Sequence, residues 1–65
     1  MQRYRIEQNH RRQDALDGAK PLEVVFSDSR KEATKEMLRL ADGGRYYAAV
    51  YIGRDGECVE ESSAK

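Results

Sequence analysis

Arg45-Tyr46-Tyr47-Ala48-Ala49-Val50-Tyr51-Ile52, followed at once by Gly53-Arg54-Asp55-Gly56, decides how this chain folds. The first stretch is rich in aromatic and β-branched residues, which suit a pleated strand. Asp55-Gly56 is a tight-turn signal. Side chains alternate across a strand, so Tyr46, Ala48, Val50 and Ile52 share one face and Tyr47, Ala49 and Tyr51 the other. Both faces carry apolar surface. One belongs to the core, and the other is a candidate contact surface. A slip of one residue would exchange the two faces.

Working back from this strand, a helix precedes it. Ser29-Arg30-Lys31-Glu32 reads as a capping box, with Asp28 adding negative charge at the helix start. Ala33, Met37, Leu40 and Ala41, with Leu38 beside them, form the apolar stripe of a helix running to about Asp42. Glu32–Lys35 and Glu36–Arg39 stand at i,i+3 spacing, and Gly43-Gly44 supplies a left-handed stop. Before the helix, Leu22–Ser27 reads as a strand with Leu22, Val24 and Phe26 toward the core and Glu23, Val25 and Ser27 away from it. Residues 1–8 alternate, with Tyr4 and Ile6 on one face and Arg3, Arg5 and Glu7 on the other. Residues 9–21 form a long loop, which a helical turn around Gln13–Leu16 would shorten. A last strand spans about residues 57–61 with Val59 inward, and residues 61–65 end as a frayed tail.

The order is therefore β-β-α-β-β in one small α+β domain spanning residues 1–65. A strand-helix-strand crossover makes the second and third strands run the same way. The first runs opposite to both and fits between them, which gives a four-stranded antiparallel sheet in the order 2-1-3-4 with the helix on one face. One helix covers one face, and antiparallel sheets tolerate an open second face. The expected core face holds Tyr4, Ile6, Val24, Phe26, Val50 and Ile52. The expected open face holds Arg3, Arg5, Glu7, Val25, Tyr47, Ala49 and Tyr51.

Composition limits what such a domain does. Sixty-five residues bury a small core, and the one cysteine forms no intrachain disulfide. Twelve Lys+Arg balance twelve Asp+Glu, which argues against strong nonspecific binding to nucleic acid. The balance is uneven along the chain: Arg3, Arg5, Arg11 and Arg12 lie near one end, and Glu57, Glu60 and Glu61 near the other. No apolar run approaches a membrane span or a signal-peptide core, and with a free cysteine this points to the host cytosol. Cys58 and His10 are too isolated for nucleophilic or metal chemistry, Asp14 and Asp17 form a loop pair, and no phosphate-binding glycine loop is present. A non-enzymatic protein without cofactor or metal is expected.

Three features remain as candidates for contact. Tyr47 and Tyr51 beside Arg3 and Arg5 could serve a protein interface, or stack on bases. Their plain reading is cross-strand packing of rings on arginine stems. His10, Arg11 and Arg12 form a basic loop run that would assist. The strand at residues 22–27 is an apolar sheet edge open to a second copy or to a partner strand, while the acids of the other edge discourage such pairing.

Phe26-Ser27-Asp28-Ser29 leading into a helix, Glu32-Ala33 and Leu40-Ala41-Asp42-Gly43 within it, and Asp55-Gly56-Glu57 after an aromatic strand complete the layout. In layout the chain resembles small proteins of bacteriophages and mobile elements, including small anti-CRISPR proteins. That resemblance implies a phage-encoded inhibitor that acts by protein–protein contact on a host protein or nucleoprotein complex. A small nucleic-acid-binding module and a homodimeric assembly subunit are the alternatives.

Overall fold

The computed structural model describes residues 3–53 and 56–62. In chain order the elements are β1 (Tyr4–Asn9), α1 (Arg12–Leu16), β2 (Glu23–Ser27), α2 (Arg30–Ala41), a 3-10 turn (Asp42–Gly44), β3 (Tyr47–Ile52) and β4 (Cys58–Glu61). The strands form one antiparallel sheet in the order β2-β1-β3-β4, and α2 packs on one face. Both the expected sheet order and the helical turn in the long loop are present. The expected Asp55-Gly56 turn falls partly on residues 54 and 55, outside the described residues.

Helix α2 starts where the capping serine sets it. Ser29 Oγ accepts the Glu32 N–H at 3.3 Å, satisfying one of the free amides of the first turn. The return half of the box differs from expectation. The Ser29 N–H donates to Ser27 Oγ at 3.2 Å, and the Glu32 carboxylate lies 3.7 Å from Lys35 Nζ. The helix stops at Asp42, which is itself left-handed at φ 49°, one residue ahead of the two glycines. One carbonyl of the last turn, that of Leu40, accepts the Gln8 side-chain amide at 2.7 Å. That bond ties the helix end to β1.

Directly opposed residues of an antiparallel pair share a face. Ile6 opposes Val25 on one side and Val50 on the other, so these three form a row beneath the helix. Ile6, Ala48 and Val50 are fully buried against Ala33, Met37, Leu40 and Ala41. Tyr4, Val25 and Val59 close the margin of this core. A β-bulge lies between the pairs Val50–Glu60 and Tyr51–Cys58 and leaves Val59 as the extra residue, pressed on the core.

The phase of β2 is the reverse of the expectation, and Ile52, Leu38 and the end of the chain also differ from it in exposure or order. Val25 lies under the helix, with Glu23 and Ser27 on the same side, and Val24 and Phe26 turn to the open face, 39% and 47% exposed. The cause is the short link from β2 to α2. Ser27 must face the helix for its hydroxyl to hold Ser29, and Glu23 lies 3.6 Å from Arg39 on that side. Once Ser27 is fixed, alternation places Val25 inward. Ile52 is on the helix side but half exposed, at the end of the sheet where α2 gives little cover. Leu38 lies off the apolar stripe, 59% exposed. Glu61 and Ser62 are not frayed. Glu61 ends β4, and Ser62 is buried, exchanging bonds of 2.8 and 2.9 Å with Ala48. Residues 63–65 lie outside the described residues.

Candidate protein-contact surface

The register sets the open face row by row. Phe26, Arg5, Tyr51 and Cys58 cross the sheet in one row, and Val24, Glu7, Ala49 and Glu61 in the next. Arg5 is the hinge of the first row. Its guanidinium carbon lies 4.6 Å from the centre of the Tyr51 ring, a cation–π contact between neighbouring strands. Its Nε lies 2.7 Å from Glu7 Oε2, and both side chains are only about a fifth exposed. That Nε is enclosed and its N–H points along no hydrogen bond, so the contact with Glu7 is one of charge. Arg5 is therefore held flat and neutralised, with Tyr51 on one side and the half-exposed Phe26 on the other.

Tyr47 belongs to the same face but not to its surface. It is 5% exposed and donates its hydroxyl to Glu61 Oε2 at 2.5 Å. Arg12 Nε donates to the same oxygen at 3.3 Å. Tyr47 thus offers no ring to a partner, contrary to the sequence-based expectation. It floors one end of the face and, with Glu61, fastens α1 over it. Ala49, fully buried, floors the middle.

The protonation of these groups follows their surroundings. Burial, then the bond to Glu61, pushes the Tyr47 phenol well above its ordinary value of 10.0. The bonds from Tyr47 and Arg12 lower the Glu61 carboxyl, and Glu61 raises Arg12. Burial raises Tyr51 and the Cys58 thiol, whose Sγ donates to the Glu60 carbonyl at 3.3 Å. A raised thiol is a poor nucleophile.

Tyr47 makes stability depend on alkali. The unfolded chain gives up this proton near 10.0, and the folded chain holds it. The contribution is therefore intact below that pH and is lost as pH rises beyond it. Tyr47→Phe should cost about 1–2 kcal/mol at neutral pH. It should also shrink the alkaline loss, with Tyr51 and Cys58 leaving a residual slope. Thermal melts of both proteins at neutral and strongly alkaline pH measure this, and an undiminished alkaline loss in the variant would refute the assignment.

The remaining expected contact residues are scattered. Arg3 is exposed beside β1, its carbonyl accepting the Gly53 N–H at 2.6 Å. His10 leans on Tyr46, with ring centres 5.7 Å apart, and Arg11 is exposed. Arg12 is engaged by Glu61. The structure thus brings Arg5 and Tyr51 together, keeps Tyr47 beneath them, and leaves His10, Arg11 and Arg12 beyond the end of β1. It adds Phe26 and Val24, which strict alternation had assigned to the core.

An open hollow of about 380 Å³ lies over Arg12, Cys58, Val59, Glu60 and Glu61. Its charges are already matched: Arg12 by Glu61, and Glu60 by Arg30 at 3.5 Å and Thr34 at 2.6 Å. Among the described residues no three His, Cys, Asp or Glu side chains are placed to hold a metal ion. No described helix is long and apolar enough to cross a membrane. Compared with known proteins, the chain matches no family model, no curated protein and no solved structure.

Proposed function

We propose that this domain is a non-enzymatic protein-docking module whose contact surface is the open sheet face around Phe26, Arg5 and Tyr51. One observation carries the reading. Exposed apolar side chains adjoin an arginine stacked on a tyrosine, while two arginines of this side are matched by glutamates, Arg5 by Glu7 and Arg12 by Glu61. Aromatic and arginine side chains set in apolar surroundings are the residue types that anchor protein interfaces. Phosphate binding, by contrast, draws on unneutralised positive charge. In the form implied by the likeness to small phage proteins, the module would occupy a surface of a host complex.

The test is comparative capture. The parent protein and Tyr51→Ala are immobilised and exposed to a lysate of the source cells. Loss of the Tyr51 ring should weaken retention of the partner roughly tenfold or more, with the amide spectrum still that of a folded domain. Equal retention by a folded variant would remove this face from consideration.

A further inference from the structure

The face away from α2 is open at one end and closed at the other. Asn9 opposes Tyr47, and Glu7 opposes Ala49 in the next row. By alternation all four side chains lie on the side that α2 does not cover. Asn9 is nevertheless only 3% exposed, Tyr47 is buried and Ala49 fully so, while Phe26 at the other end is half exposed. Among the described residues, α1 is the element that follows Asn9 at the closed end. The side chain of its first residue, Arg12, ends on the same Glu61 oxygen as the Tyr47 hydroxyl. The α1 segment is thus a partial second layer over this end of the sheet.

That layer is held lightly. Five residues are too few for a helix to stand by itself in water. None of the five is buried, and no side chain caps the helix start. Leu16, its one large apolar residue, is 62% exposed and adds little grip. The Asp14, Asp17 and Ala19 N–H groups donate to the Arg11, Gln13 and Asp14 carbonyls, which ties the segment to itself and not to the sheet. Among the described residues, the side-chain hydrogen bond from α1 to the sheet is that of Arg12 to Glu61, and both side chains are more than two-fifths exposed. An ion pair so exposed is weak and is screened by salt. The segment is otherwise anchored at its ends, by the contact of His10 with Tyr46 and by the Leu22 N–H on the Gln8 carbonyl.

We propose that α1 is an autoinhibitory strap, which closes one end of the contact surface and competes with the partner for it. When Arg12 leaves Glu61, the segment lifts between its two anchored ends. Tyr47 and Ala49 then join Phe26, Arg5 and Tyr51 on one continuous face. Tyr47 is of the residue type that anchors interfaces. Its hydroxyl keeps its place as the strap lifts, because Glu61 belongs to β4 and not to α1. Capture of the partner is reduced to the fraction of molecules whose strap is open. The competition rests on the docking reading of this face; the opening of the strap does not.

Acetylation of tyrosine hydroxyls by N-acetylimidazole, located by fragment masses, tests the opening with no partner present. Labelling of a covered hydroxyl follows the open fraction. In the parent the Tyr47 rate should rise with salt, as the bridge is screened. Arg12→Gln should raise that rate about two- to fivefold at low salt, the factor an exposed ion pair supplies. It should also remove the salt dependence and leave the Tyr51 rate unchanged. Equal Tyr47 rates in the two proteins, or equal salt dependence, overturn the strap. A rise shared by Tyr51 overturns it too, because the whole domain then loosens. In capture from the lysate, Arg12→Gln should retain the partner about two- to fivefold better than the parent, and equal or weaker retention overturns the competition. Labelling reports on the strap alone and Tyr51→Ala capture on the docking face alone, so the two readings fail separately.

Discussion

Gly56→Ala is expected to detach β4 and cost about 3 kcal/mol or more, read as a large drop in the urea midpoint. A Cβ at this position would sit 1.7 Å from the Ile52 carbonyl oxygen and 2.7 Å from its carbon. Both are main-chain atoms, so no side chain can swing aside; the turn or the strand must move. The segment after Gly56 holds much of the molecule together. The Glu57 carbonyl accepts the Ile52 N–H, the Val59 carbonyl accepts Arg30, Glu60 accepts Thr34, and Glu61 accepts both Tyr47 and Arg12. Losing β4 would uncover Val50 and release α1. Gly53 provides the contrast. Its φ of 65° makes alanine strained there, but nothing lies within 4 Å of the added carbon, so Gly53→Ala should cost only about 1–2 kcal/mol. A Gly56→Ala variant within about 0.5 kcal/mol of the parent would mean that β4 is not held as described.

The parts of this fold that were legible in the sequence rest on local chemistry. Alternation in β1 and β3, the serine cap at Ser29 and the stripe of Ala33, Met37, Leu40 and Ala41 each identify an element unaided. Chain direction then forces β1 between β2 and β3. Arg5 and Tyr51 could be paired because both strands were phased correctly. The phase of β2 was not legible, because Leu22, Val24 and Phe26 make a better apolar column than Val25 alone. Its phase is set instead by Ser27, whose hydroxyl bonds the N-cap across a two-residue link. A serine placed just before a capping serine was the available signal. The burial of Tyr47 was hidden for a different reason. It depends on Glu61 and Arg12, far apart in sequence, closing over one ring.

Ile6→Ala is expected to leave the domain close to its unfolding midpoint at room temperature. Among the described residues only Ile6 and Val50 are large and completely buried; much of the remaining core is alanine, with Met37 and Leu40 from the helix. Truncating a buried isoleucine costs about 2–5 kcal/mol, as transfer energy plus the cavity left behind. A chain of this length has only about 3–10 kcal/mol in total at ordinary stability per residue. Ile6→Val should cost about 0.5–1.5 kcal/mol and fold normally. Urea unfolding of the three proteins, followed by circular dichroism, measures the series. The consequence extends to the contact surface. Ile6 stands next to Arg5 in β1 and is pinned between Val25 and Val50 on the helix side. That burial fixes the register on both sides, which is what places Arg5 over Tyr51 and beside Phe26. A folded Ile6→Val variant should therefore keep its contact surface, whereas Ile6→Ala should lose contact and fold together. An Ile6→Ala protein as stable as the parent would show that the core is not centred on this row.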